Sequence, residues 1–299
     1  MKAGRYLREK QARLFVLDAN QRPLDWQDLV GGPVPEPLRR ALEQAIEHGG
    51  NAEFCAALPL LEELLQAAPD WLAGLPAQAL PEQLLPPVEP RTFICVGLNY
   101  RDHAIESGAE IPKAPLLFAK TSNAITGHGQ AVPLPPRSSQ VDYEAEFAVV
   151  IGRTASRVPA AEALDYIAGY TCCNDVSARD FQFADGQWYR GKSGDGFGPL
   201  GPWLVTPSEV GDPHQLRIQL RLNGQTLQDS STSQLIFRIP ELIEYISSSI
   251  TLQPGDVIST GTPPGVGFAR KPPIYLQPGD RMEVEIEHIG VLTNPVVAR

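Results

Sequence analysis

The chain has 299 residues, 42% of them hydrophobic and 20% charged, enough to bury a substantial core in one large domain or one large plus one small. Its formal net charge of -10, with no clustered run of Lys and Arg, excludes a phosphate-backbone partner, so no nucleic acid is expected. An anionic small molecule stays open, because a metal and a few local cations set the potential inside a cleft.

The start, Met1-Lys2-Ala3-Gly4-Arg5, leads into charged sequence, not an apolar signal segment, and no window approaches the roughly eighteen apolar residues of a membrane span. A cytoplasmic protein without membrane contact is expected. Arg13 to Asp18 reads as a short strand closed by a turn at Asn20-Gln21. Residues 37 to 48 have helical spacing in Leu38, Ala41, Leu42, Ala45 and Ile46, with Gly49-Gly50 as the stop, and 57 to 68 predict a second helix. Five prolines between Pro76 and Pro90 mark a linker. Residues 1–88 thus read as a small α/β module without a convergent polar cluster, and 89–299 as a second, larger domain.

After the linker the texture changes to short strands divided by Gly and Pro turns, at 93–96, 146–151, 166–173, 216–222, 257–260 and 282–286. Helices are expected near 161–166 and at 239–248, the latter with Pro240 in its first turn. The fold class is α+β and β-rich, a sandwich or roll. Cys55, Cys95, Cys172 and Cys173 lie in apolar surroundings without C-x-x-C spacing, so they read as small buried hydrophobes in a reducing compartment, not zinc ligands or disulfides.

Three polar clusters stand out. Asn99 to Glu106 follows a strand, and His103 and Glu106 are three apart, adjacent on one helical face. Such a pair is commonly a surface contact; in a cleft it is an imidazole oriented by a carboxylate, as a general base requires. Glu144 and Glu146 are two apart at the start of a β-branched run, so in extended backbone they face the same way. Taken alone they fit the solvated face of an edge strand; buried, they ask for a cation between them. Asp175 ends the strand at 166–173, as a helix N-cap or as a third carboxylate. Together the three would make an all-oxygen site suited to Mg²⁺, Mn²⁺ or Ca²⁺.

Gly186 to Ser193 satisfies the phosphate-loop pattern letter for letter, which raises a nucleotide binder as the rival reading. Context argues against it. The loop holds Trp188, Tyr189 and Arg190, and the Gly/Pro-rich run 194–202 that follows cannot form the required helix. Lys192 has another use there, neutralising an enolate or carboxylate beside a metal. Residues 260–267 form a second Gly/Pro loop, in which Thr262 either holds a carboxylate or simply turns the chain.

The order Gly97-Leu98-Asn99-Tyr100, His103, Glu106, then Asp142-Tyr143-Glu144-Ala145-Glu146, Asn174 to Asp180, Gly191-Lys192-Ser193 and Thr260-Gly261-Thr262-Pro263 resembles the fumarylacetoacetate hydrolase superfamily from about residue 90 onward. The resemblance implies a mixed β-sandwich roll, a homodimer, and magnesium or manganese on Glu144, Glu146 and Asp175. It implies His103 and Glu106 as a water-activating pair on a lid over the substrate, Lys192 as the catalytic lysine, and Lys120, Gln182, Thr262 and Arg179 as substrate contacts. The expected activity is hydrolysis of a carbon-carbon bond in a 2,4-dioxo acid of acylpyruvate, fumarylpyruvate or dioxo-deoxy sugar acid type, giving pyruvate or a related 2-oxo acid and a carboxylic acid. An oxaloacetate-type decarboxylase or a 2-hydroxy-diene-dioate isomerase on the same site is the alternative, and a non-catalytic metal-binding protein the third class.

Overall fold

The computed structural model describes residues 1–299 with the exception of the Pro69 side chain. Two sheets dominate it. The larger runs in the order Pro23–Asp25, Gln11–Leu17, Lys2–Arg8, Gly198–Val205, Ile167–Asn174, Ala145–Ile151, Val257–Ser259, Phe93–Gly97 and Leu116–Lys120. The smaller runs Gln225–Ser231, Arg217–Leu222, Arg281–Ile286, Gly290–Ala298 and Val132–Leu134. This is the expected β-rich mixture of helix and sheet.

Alternation along the central strand explains the layering. Phe147, Val149 and Ile151 pack with Ile218, Leu220, Val284 and Ile286 of the smaller sheet, while Ala148 and Val150 turn the other way, against Leu42, Phe54, Leu58 and Leu61. Those last four belong to the helices Glu36–His48 and Asn51–Ala67, the first stopped by Gly49 at φ 62°. The second begins six residues before the expected 57, because Asn51 to Ala56 continue its apolar face through Phe54 and Cys55. The helix at Ile239–Ser247 starts as expected, with the Arg238 amide donating to the Glu241 carboxylate at 2.7 Å. The expected helix at 161–166 is a 3₁₀ segment, Ala160–Tyr166.

The N-terminal residues share the larger sheet. Lys2–Arg8 pairs antiparallel with Gly198–Val205, and the Pro-rich stretch contributes Leu84–Leu85, which pairs with Arg5 and Tyr6. Among the described residues, no helix is long and apolar enough to cross a membrane.

Candidate active site

Strand register brings the three carboxylates together. Glu146 pairs with Cys173 and Ala145 with Asn174, and the ladder continues past the strand ends through the Asp175 amide, which donates to the Glu144 carbonyl at 2.9 Å. Glu144 and Asp175 therefore lie side by side at the end of two antiparallel neighbours, with Glu146 one pleat further in. All three are buried, and their nearest carboxylate oxygens lie within 4.8 Å of one another.

Cations and amides distribute themselves unequally over this group. The Lys192 ammonium bridges Glu144 Oε2 at 2.7 Å and Asp175 Oδ2 at 2.6 Å, and Arg179 Nη2 donates to Glu144 Oε1 at 2.7 Å. Burial works against ionisation of Glu144, but Lys192 and Arg179 outweigh it and hold the carboxyl below its usual range. Lys192 is likewise buried against its own charge, and Asp175 and Glu144 overcome that and keep it firmly an ammonium. Glu146 has only neutral donors, Ser259 Oγ and the Gly261 amide at 3.1 Å. Burial, then the charges of Asp175 and Glu144, push its carboxyl well above the ordinary value.

Asp175 Oδ1 accepts no hydrogen bond, although Lys120 Nζ stands 2.6 Å away off the bonding direction. A buried Glu146 carboxylate with no cation of its own, within 4.8 Å of carboxylate oxygens of Glu144 and Asp175, is what a hard divalent cation on the three would satisfy, so the residues fit the implied metal.

The triad opens into a cavity of about 370 Å³ whose walls also carry His103, Lys192, Arg179, Gln182 and Thr262. His103 stands on the helix Arg101–Ser107, its Nδ1 3.1 Å from Glu106 Oε2, and the Glu106 carboxylate accepts in turn from the Gly265 amide at 3.0 Å. The His103–Glu106 cluster and the Gly/Pro loop at 260–267 thus meet through one carboxylate. Gln182 accepts from Arg179 Nη1 at 3.0 Å.

Two expected substrate contacts are placed differently. Lys120 is absent from the cavity wall, and its ammonium donates to the carbonyls of Val176, Phe197 and Lys192, so it backs Asp175 from behind. Thr262 lines the cavity, but its hydroxyl proton goes to the Ala145 carbonyl at 2.9 Å while it accepts from Gln228 at 2.9 Å. That hydroxyl has no proton left for a substrate carboxylate. The context that argued against a phosphate loop is present in the structure: Gly186 to Ser193 is preceded by the helix Arg179–Ala184 and followed by the strand Gly198–Val205, the reverse of the strand-loop-helix order that cradles phosphate.

Sequence reading missed the residues that support the ligands. Asp142 takes Arg179 Nε and Nη2 at 2.9 and 2.7 Å and caps the amides of Gly267 and Phe268 at 2.7 and 3.1 Å. Its place two residues before Glu144, in extended backbone of the same parity, was the available signal. Ser259 could be found only from the pairing of Ala148 with Ser259. Of the aromatic wall of Phe118, Phe183, Trp188 and Phe268, Trp188 sits in the rejected phosphate-loop motif, which carries no signal of its role as cavity wall.

The sequence profile of the fumarylacetoacetate (FAA) hydrolase C-terminal family matches residues 92–297. The chain belongs to this family. A mitochondrial oxaloacetate tautomerase of Rattus norvegicus is 48% identical over 215 residues, 72% of this chain and 69% of the relative. The crystal structure of 2-hydroxyhepta-2,4-diene-1,7-dioate isomerase from Mycobacterium marinum is 44% identical with a TM-score of 0.64, covering 72% of this chain and 78% of that one. A fumarylacetoacetate hydrolase from psychrophilic Exiguobacterium antarcticum is 35% identical over the whole of both chains, with a TM-score of 0.81. An enzyme of this family is therefore established. The tautomerase and isomerase names, borne by the relatives of higher identity, support the isomerase alternative better than a carbon-carbon hydrolase.

Proposed function

We propose that the enzyme moves a proton between carbon and oxygen in a 2-oxo acid, interconverting keto and enol forms or shifting the double bond of a 2-hydroxy-diene acid. The observation that carries this reading is the meeting, in one cavity, of a buried carboxylate triad, a lysine ammonium bridging two of its members, and an imidazole held by a carboxylate. The tautomerase and isomerase names of the relatives point to the same class of chemistry.

A divalent cation held by Glu144, Glu146 and Asp175 would supply Lewis acidity toward the substrate's carboxylate and 2-oxo oxygen. The chain's own residues do the rest. The Nδ1–H of His103 donates to Glu106, a tautomer assigned from that bond, which leaves Nε2 to take the proton from the carbon next to the 2-oxo group. Lys192 offers positive charge to the oxygen on which the electrons settle. The imidazolium then returns its proton to that oxygen, or to a carbon further along a conjugated chain, and no water is consumed.

Hydrolysis of a 2,4-dioxo acid is the second reading, favoured by the same His103–Glu106 pair, which could instead take a proton from water. The homodimer implied by the resemblance forms part of the proposal and is checked by light scattering. The deciding assay follows ketonisation of enol-oxaloacetate by ultraviolet absorbance with Mg²⁺ or Mn²⁺ and with chelator, beside acylpyruvate consumption and pyruvate release. His103→Ala is expected to slow ketonisation by about 10²–10⁴-fold while leaving Mg²⁺ binding intact. A rate indifferent to both chelator and His103→Ala sinks the reading; acylpyruvate cleavage without ketonisation selects the second.

A further inference from the structure

The carboxylate that orients His103 rests on one glycine amide. The Gly265 N–H donates to both oxygens of Glu106, at 3.0 and 3.2 Å, and Glu106 Oε2 faces His103 Nδ1 at 3.1 Å. Gly265 sits at φ 100°, a backbone conformation that other residues rarely adopt, and a Cβ added to it would fall 2.1 Å from the Leu227 carbonyl oxygen. Glycine is also the residue freest to rotate, so its amide keeps a direction only if the chain on either side is held.

Both sides are held. Before Gly265, the Pro263 carbonyl accepts from Gln228 Nε2 at 2.8 Å. After it, the Gly265 carbonyl accepts from Arg270 Nε at 3.1 Å and from the Tyr143 hydroxyl at 3.3 Å. Arg270 Nη2 donates in addition to the Leu227 carbonyl, so one planar guanidinium ties the loop to the strand Gln225–Ser231. The same strand grips the helix that carries His103, because Ser230 Oγ donates to Asp102 Oδ2 at 2.5 Å. Loop and helix therefore share one frame. Gln228 serves the triad as well, accepting from the Ala145 amide between two of the ligands at 2.8 Å. Arg270 is the more selective clamp: both its guanidinium bonds go to main-chain carbonyls, it is half-buried, and it stands outside the cavity wall.

We propose that Arg270 is a positioning residue for the proton transfer. It fixes Gly265, whose amide aims Glu106, which in turn holds His103 in its working tautomer and direction. Arg270 itself touches neither the carboxylate triad nor the cavity. This role rests on the proposed function in taking His103 as the group that moves the proton.

The test is a double-mutant cycle in the Mg²⁺-loaded full chain, run on whichever of enol-oxaloacetate ketonisation and acylpyruvate cleavage the wild type performs. Arg270→Met keeps the stem and removes the donors; it is expected to lower kcat by about 10- to 100-fold while leaving KM and the Mg²⁺ Kd unchanged. Arg270→Lys, which retains a donor for the Gly265 carbonyl, is expected to recover part of that loss. In a Glu106→Ala background, Arg270→Met is expected to cost nothing further, a failure of additivity that a purely structural contribution would not produce. Should Arg270→Met fail to fold, Arg270→Lys is compared in the same two backgrounds. An unchanged kcat, or the same loss with and without Glu106, overturns the role of Arg270 and leaves the proposed function standing. A wild type that performs neither reaction, or one indifferent to both His103→Ala and Glu106→Ala, overturns both.

Discussion

Glu146 stands between two other carboxylates, and burial together with their charges raises its folded value above the ordinary 4.5. For an acid raised in this way the protein favours the protonated form, so the cost of ionising Glu146 is absent below about pH 4.5 and grows as pH climbs through the folded value. Metal-free protein is expected to lose melting temperature over that range, and Mg²⁺ to restore it. Glu146→Gln should raise the metal-free melting temperature at neutral pH, by roughly 2–4 °C for each kcal/mol relieved, and abolish the Mg²⁺-induced shift; calorimetric scans with and without chelator check both. Glu144 has the opposite sign. Its depressed carboxyl contributes stability that is present above about pH 4.5 and lost as acid protonates it, so it contributes to the acid limb of unfolding. Lys192→Met, which keeps the stem and removes the charge, is expected to lower kcat by about 10²–10³-fold, measured in the ketonisation assay.

Asp142 is a joint between elements. It holds Arg179 at the start of one helix, caps the Gly267 and Phe268 amides of the C-terminal loop, and pairs through its backbone with Ser177. Because Arg179 in turn holds Glu144, Asp142→Asn is expected to weaken Mg²⁺ affinity by about 10–100-fold without touching the ion, as isothermal titration can measure. Legibility in the sequence follows the same division. Residues whose chemistry is unusual in place, such as Glu144, Glu146, Asp175, Lys192 and His103, can be read from the chain and are gathered here in one cavity, with Glu106 against the imidazole. Lys120 misleads because a lysine before a motif looks alike whether it faces a ligand or a ring of carbonyls. The strand Gly198–Val205 hides behind glycine and proline, which signal turns locally, yet pairing on both sides overrides that signal. Gly290–Ala298 is missed similarly, its alternation broken by Asn294-Pro295.

At the scale of the molecule, the larger sheet is covered on one face by the smaller sheet and on the other by helices from the first 88 residues. The family profile begins at residue 92, after those helices. A fragment of residues 89–299 would bare Ala148, Val150, Leu200, Leu204 and Val257, all now fully buried, and net stabilities are only about 5–15 kcal/mol. It is expected to be insoluble or to lose its cooperative melt, checked by sedimentation and circular dichroism beside the full chain; a soluble, cooperatively melting fragment would show that the two parts fold independently. The central strand Ala145–Ile151 has a neighbour on each edge and no exposed residue. Sliding it by a single position would reverse every side chain it carries and aim Glu146 into the oily layer between the sheets. Metal capture is therefore a readout of correct strand alignment: a misthreaded chain could look compact and β-rich in every spectrum and still be identified by its indifference to magnesium.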